Sequence, residues 1–136
     1  MSVNAGSLND PSDIPGLAHF VEHLLFMGTE THPEENAYNR FLSQNNGASN
    51  AYTSSEFTDF FFTVANDAAF EAIELFSGFF TCPLFLEGCV QREIQAVDNE
   101  HSKNLQSDIW RFQQLLRYLG REDHPYNHFC SFSCVL

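Results

Sequence analysis

The stretch GLAHFVEHLLFMGTETHPEENAYNRFLSQNNGASNAYTSSEFTDFFF, residues 16–62, decides how this chain is read. It opens with Leu17, Phe20, Val21, Leu24 and Leu25, apolar residues at helical spacing, and Gly28 supplies a stop. A helix over about Gly16–Met27 is predicted. A second helix fits Pro33–Asn45, with Pro33 at its start, Glu34 and Glu35 in its first turn and Gly47 just past its end. Ala48–Thr53 and Phe57–Ala65 then read as two strands joined at Ser54-Ser55-Glu56, a hairpin. Phe60, Phe62 and Val64 share one face of the second strand, and Phe57 and Phe61 the other, so both faces are expected to be covered.

Working outward, Ser2–Leu8 reads as a strand end and Asn9-Asp10-Pro11-Ser12-Asp13 as a loop. Downstream, a third helix is predicted over about Asp67–Phe80, carrying Phe70, Ile73, Leu75, Phe76 and Phe79. A long fourth helix, about Leu86–Leu119, carries Val90, Ile94, Val97, Leu105, Ile109, Phe112 and Leu116. The order of strand, two helices, two strands, two helices predicts an α+β fold, with helices packed on one face of a mainly antiparallel sheet.

A chain of 136 residues with 43% hydrophobic residues, among them 15 Phe, has the material for one domain with its own core. Its net charge of −12 repels phosphate backbones and anionic lipid surfaces, which argues against nucleic-acid and membrane partners. There is no apolar run long enough to span a bilayer, no secretory signal in the first twenty residues and no Arg-rich transit segment, since the first Arg is Arg40. The C-terminal Cys-Val-Leu is not a peroxisomal address. A cytoplasmic location is expected. Cys82, Cys89, Cys130 and Cys134 form no CxxC pair and are expected as free thiols.

The chemistry lies in His19-Phe20-Val21-Glu22-His23, an HxxEH motif. Residues three and four apart share a helix face, so His19, Glu22 and His23 project together. Two imidazoles one turn apart suit a tetrahedral zinc, and the carboxylate between them can act on water. A catalytic zinc needs a third protein ligand. Glu93 and Glu100, two helical turns apart on the fourth helix, are both candidates, one to ligate and one to orient a ligand from behind; their spacing does not choose between them. His32, His101, His124 and His128 are scattered and read as surface or capping residues, and Ser54-Ser55-Glu56 lacks the glycines of a nucleophile elbow.

The same stretch resembles the N-terminal catalytic domain of insulysin-type zinc metallopeptidases, the pitrilysin/insulinase family. FSGFFTCPLF (76–85), REIQAVDNEHSKN (92–104), DIW (108–110) and HPY (124–126) continue the resemblance in order, over about Gly6–Phe129. It implies one zinc held by His19, His23 and Glu100, with Glu22 as general base and Glu93 supporting a ligand. It also implies that Ser49, Asn50 and Ala51 form an edge-strand segment that pairs with an extended peptide substrate. Trp110 matches a family aromatic near the substrate pockets; a core Trp on an amphipathic helix is the alternative.

The resemblance implies a partial zinc-binding peptidase domain over residues 1–129, followed by a divergent tail, CSFSCVL, over 130–136. Strands upstream of Met1 and a Gly-Asn continuation after HPYNHF are expected in the family and not met here, so a chain truncated at both ends is expected. Two functions follow. One is a zinc metalloendopeptidase fragment hydrolysing small peptides; the other is a non-catalytic remnant that binds peptide or a partner without turnover. A purely structural zinc site needs four protein ligands, and this pattern supplies three and a base.

Overall fold

The computed structural model describes residues 1–127. His128, Cys130, Cys134 and the tail expected over 130–136 lie outside the described residues. In chain order the elements are β1 (Ser2–Val3), α1 (Leu17–Leu25), α2 (Ala37–Gln44), β2 (Ala48–Thr53), β3 (Thr58–Thr63), α3 (Ala69–Thr81), α4 (Glu87–Asn104) and α5 (Asp108–Tyr118). The fold is α+β, as expected.

The alternating residues of 48–63 form the predicted hairpin, with Ala48 opposite Thr63 and Thr53 opposite Thr58. β1 adds on the far side of β3, pairing Ser2 with Asp59 and Val3 with Thr58, so the antiparallel order is β1-β3-β2. β2 is therefore an edge strand, with one row of backbone groups turned away from the sheet.

Helices cover one sheet face. Leu25, Tyr38, Leu42, Phe60, Ala72, Leu75 and Phe79 are buried together, and Phe26, Phe62, Phe76 and Phe80 pack against them. Rings meet mostly edge-on or tilted, as in Phe26–Phe79 (centroids 5.1 Å apart) and Tyr38–Phe79 (4.9 Å). A second cluster of Phe20, Leu24 and Val97, with Val90 and Ile94 beside it, seats α4 on α1. That contact sets the distance between the HxxEH helix and the downstream carboxylates.

The entry into α1 is held from a distance. Gly16 adopts a left-handed conformation (φ 89°), open to a residue without Cβ, and has no side chain to cap the helix. Asp10 does this instead: its Oδ2 accepts the Gly16 N–H at 2.7 Å and its Oδ1 the Ala18 N–H at 2.8 Å. Two otherwise unpaired donors are satisfied, and a negative charge sits at the positive end of the helix.

Several expectations are corrected. α2 begins at Ala37 rather than at Pro33, because residues 34–36 form a bend and a turn before the helix. The long fourth helix is two helices: α4 ends at Asn104, the backbone at Ser107 is extended (φ −88°, ψ 122°), and Asp108 puts a negative charge in the first turn of α5. Ile109, Phe112 and Leu116 are thus exposed on α5 rather than packed along one continuous seam. On α3 the buried stripe runs through Ala72, Leu75 and Phe79, which leaves Phe70 and Ile73 on the opposite, solvent side. The second sheet face is open too: Phe61 and Tyr52 are exposed there and touch mainly each other and Phe57.

Candidate metal centre

α1 projects His19, Glu22 and His23 toward a cleft of about 650 Å³ between the β2 edge and α4–α5. His19 Nε2 and His23 Nε2 lie 3.3 Å apart. Glu100 Oε2, delivered from α4, is 3.9 Å from the first and 3.8 Å from the second. Tetrahedral coordination with bonds of about 2.0–2.1 Å separates neighbouring donor atoms by about 3.3 Å. The three atoms are therefore grouped closely enough to hold one ion, and two imidazole nitrogens with one carboxylate oxygen are a donor set suited to zinc. Among the described residues, His19, His23 and Glu100 are the group so arranged.

Glu93 stands behind His23. Its Oε2 is 3.1 Å from His23 Nδ1, and it is much less exposed than Glu100. A proton on Nδ1 donated to this carboxylate leaves the lone pair of Nε2 facing the cleft, which is the tautomer that a metal requires. The two glutamates left open by their spacing thus differ in place: Glu100 reaches the Nε2 pair, and Glu93 reaches the far nitrogen of one ring. Burial, and then the proximity of the His23 imidazole, push the His19 pKa below its ordinary value, against the opposing pull of Glu22, Glu100 and Asp10. A lowered pKa favours the neutral imidazole, the form whose lone pair a metal takes.

Glu22 is buried and lines the same cleft. Its Oε2 accepts a hydrogen bond from Thr53 Oγ1 at 2.6 Å, short as expected for a hydroxyl on a carboxylate. Thr53 Oγ1 also lies 3.1 Å from Thr58 Oγ1, across the hairpin. The carboxylate is thereby anchored to the last residue of the edge strand. Spacing alone does not reveal Thr53, which lies 31 positions from Glu22; only the strand pairing brings it there.

Asn50, Ala51 and Trp110 line the cleft, as do His101, Gln113 and Arg117. Trp110, at 43% exposure, is not a core residue. Ser49 differs, since its Oγ donates to Asn39 Oδ1 at 3.1 Å and its side chain is not among the cleft walls. Ala51 N–H donates to its neighbour's Asn50 Oδ1 at 3.0 Å. The remaining expected thiols, Cys82 and Cys89, are free, and Cys89 is buried away from the cleft against Glu35.

Comparison with known proteins returns one family. The insulinase family, peptidase family M16, matches residues 1–123. The chain is 52% identical over 129 residues to the A-factor-processing enzyme of Saccharomyces cerevisiae, covering 95% of this chain and 13% of that protein. It is 48% identical over 129 residues to the insulin-degrading enzyme of Homo sapiens, with the same coverage of 95% and 13%. The crystal structure of pitrilysin superposes with a TM-score of 0.87 at 31% identity, over 97% of this chain and 14% of that one. The chain thus spans about an eighth of the length of these curated relatives.

Proposed function

The chain belongs to the insulinase family of peptidases, peptidase family M16, and from that premise we propose that it is the zinc-binding part of a metalloendopeptidase acting on small peptides. The observation that carries this reading is the meeting of His19 Nε2, His23 Nε2 and Glu100 Oε2 within 3.9 Å, with Glu22 on the same cleft. His19, His23 and Glu100 are the ligands of one zinc ion. When bound, zinc supplies Lewis-acid polarisation of a carbonyl and acidification of water.

The chain's own residues do the rest. Glu22 takes the proton of the attacking water on its carboxylate and returns it to the leaving amine. Thr53 keeps that carboxylate aimed, and Glu93 keeps His23 in its ligating tautomer. The backbone of Ser49, Asn50 and Ala51, on the open edge of β2, receives the peptide as an added strand, and Trp110 packs on one of its side chains. For the Ala51 N–H to reach a peptide carbonyl, the Asn50 amide gives up its present hydrogen bond. No helix among the described residues is long and apolar enough to cross a membrane. Free thiols at Cys82 and Cys89 fit a reducing compartment, and we place the protein in the cytosol.

The test is zinc content of chelator-washed protein, reloaded, beside His19→Ala and Glu100→Gln, followed by cleavage of a quenched fluorescent peptide. One zinc per chain, lost in both variants, with cleavage abolished by Glu22→Gln, is the expected result. No zinc in folded protein overturns it. Zinc and peptide binding with no cleavage would instead establish a second reading, peptide binding without turnover.

A further inference from the structure

The chain carries 18 Asp and Glu against 6 Lys and Arg, so its cations have many partners to choose from. Arg40, Arg92, Arg111 and Arg121 take them, pairing with Glu34, Glu35, Asp108 and Asp123. Arg117 does not. Among the described residues no carboxylate lies within 4.0 Å of it, yet it lines the cleft that holds Glu22 and Glu100.

Its position is built rather than incidental. Asn127 Nδ2 donates to the carbonyls of Arg117, Tyr118 and Gly120 at 3.2, 3.2 and 3.1 Å, which folds the turn at Pro125–Asn127 back on the end of α5. Tyr126 is thereby set against the guanidinium, whose carbon is 4.6 Å from the ring centroid. The ring shields one face of the cation from water and adds a favourable cation–π contact. Arg117 Nη2 also donates to Ser55 Oγ at 3.4 Å, a long bond to the turn that follows β2. A guanidinium has five N–H donors, so this contact leaves most of its fork unspent. Ser55 Oγ accepts from Arg117 and keeps its own proton to give.

We propose that Arg117, with Ser55 beside it, is an anion subsite of the peptide cleft that takes a carboxylate of the bound peptide, from an acidic side chain or from its C-terminus. The inference rests on the peptide-cleft reading above and adds to it which peptides bind best. Near Glu22 and Glu100 an acidic group is repelled; at Arg117 it meets a planar fork matched to its two oxygens, one face already desolvated. Occupancy at this end of the cleft selects where along an acidic peptide the chain sits on β2.

The test is calorimetric titration of the full chain, as Glu22→Gln so that nothing is cleaved. The probes are eight-residue Val/Ser peptides with a single Glu moved from position to position, each against its Gln counterpart and each as C-terminal acid and amide. A preference of about 5- to 20-fold for Glu at one register assigns the side-chain source, and a similar preference for acid over amide assigns the terminal source. Either is expected to vanish in Arg117→Gln, to be reduced in Arg117→Lys, to persist in Arg111→Gln and to shrink with added salt. Equal binding of acidic and neutral peptides at every register, or a preference that survives Arg117→Gln, overturns the subsite and leaves the peptide cleft standing. Failure of every peptide to bind, neutral ones included, overturns both.

Discussion

Thr53 and Glu22 are joined by a 2.6 Å hydrogen bond that ties the edge strand β2 to the helix carrying the HxxEH motif. The strand on which a peptide would pair and the carboxylate that would act on its scissile bond are thus one mechanical unit. A shift of β2 by a fraction of an ångström is felt by Glu22, which is how proteins hold a reacting group within narrow geometric limits.

Thr53→Val keeps the shape of that side chain and removes its donor. A buried carboxylate then loses a charge-assisted hydrogen bond, and a cost of about 1.5–3 kcal/mol in stability is expected from urea unfolding of the metal-free chain. Thr53→Ser is expected to recover most of it. Equal stability of all three would show that Glu22 finds another donor, and that β2 does not hold it.

Glu93 and Glu100 are separated by the kind of loss each produces. Glu93→Gln leaves the three ligand atoms in place and weakens the support of His23, so zinc affinity is expected to fall about 10- to 100-fold with one zinc per chain still bound at saturation. Glu100→Gln removes a ligand atom and is expected to lose far more. Competition against a chelator of known affinity reads both. Equal losses would mean that the two carboxylates share one role.

How much of this was legible beforehand depends on how far apart the cooperating residues lie. His19, Glu22 and His23 fall within a little more than one helical turn, so helix geometry alone groups them. The hairpin was readable because its alternation and its turn are local; β2 has the predicted bounds, Ala48–Thr53. The sequence presents Asp10 as a loop former, although an Asp ahead of a glycine-led helix is a usable sign of a cap supplied from upstream. Thr53 and Arg117 carried no local signal, since each matters only through a partner brought in by the fold: Glu22 for one, Ser55 and Tyr126 for the other. The exposure of Phe70 and Ile73 is not legible in the sequence, because apolar residues on α3 occupy more than one face and periodicity does not say which face meets the sheet.

Acid sensitivity is expected at Glu35. Hydrogen bonds from Cys89 and from Arg92 hold its carboxyl below the ordinary glutamate range, while burial keeps the Cys89 thiol protonated and able to donate. A carboxyl with a depressed folded-state pKa binds its proton more weakly folded than unfolded. Its contribution is therefore fully present above about pH 4.3 and fades as the pH falls through the depressed value. Glu35→Gln is expected to unfold at lower urea than the parent at pH 7, with the gap closing as the pH falls through the depressed value. A gap that persists into acid would assign the effect to packing against α4.

The outer face of α5 presents Ile109, Phe112 and Leu116 at 72%, 60% and 44% exposure, spaced three and four apart on one side of the helix. A contiguous apolar stripe of this kind draws hydrophobic dyes and promotes association. Ile109→Lys with Phe112→Glu is expected to cut dye fluorescence by about half while stability stays within about 0.5 kcal/mol of the parent, because neither side chain is buried. A large loss of stability would instead show that this face is packed in solution.

Tyr38 offers the reverse case, a polar group inside the core. It is 4% exposed and packs on Phe79 with centroids 4.9 Å apart, and its hydroxyl has no hydrogen-bond partner among the described residues. Burial accordingly drives its pKa far above the ordinary tyrosine value. Tyr38→Phe keeps the ring contacts and deletes the orphaned oxygen, so it is expected to be neutral or to stabilise by up to about 1 kcal/mol. Tyr38→Ala removes the ring as well and is expected to cost about 3–5 kcal/mol, the price of a large cavity. Urea unfolding of the pair separates the two contributions, and a loss above about 1 kcal/mol in Tyr38→Phe would show that the hydroxyl is bonded after all.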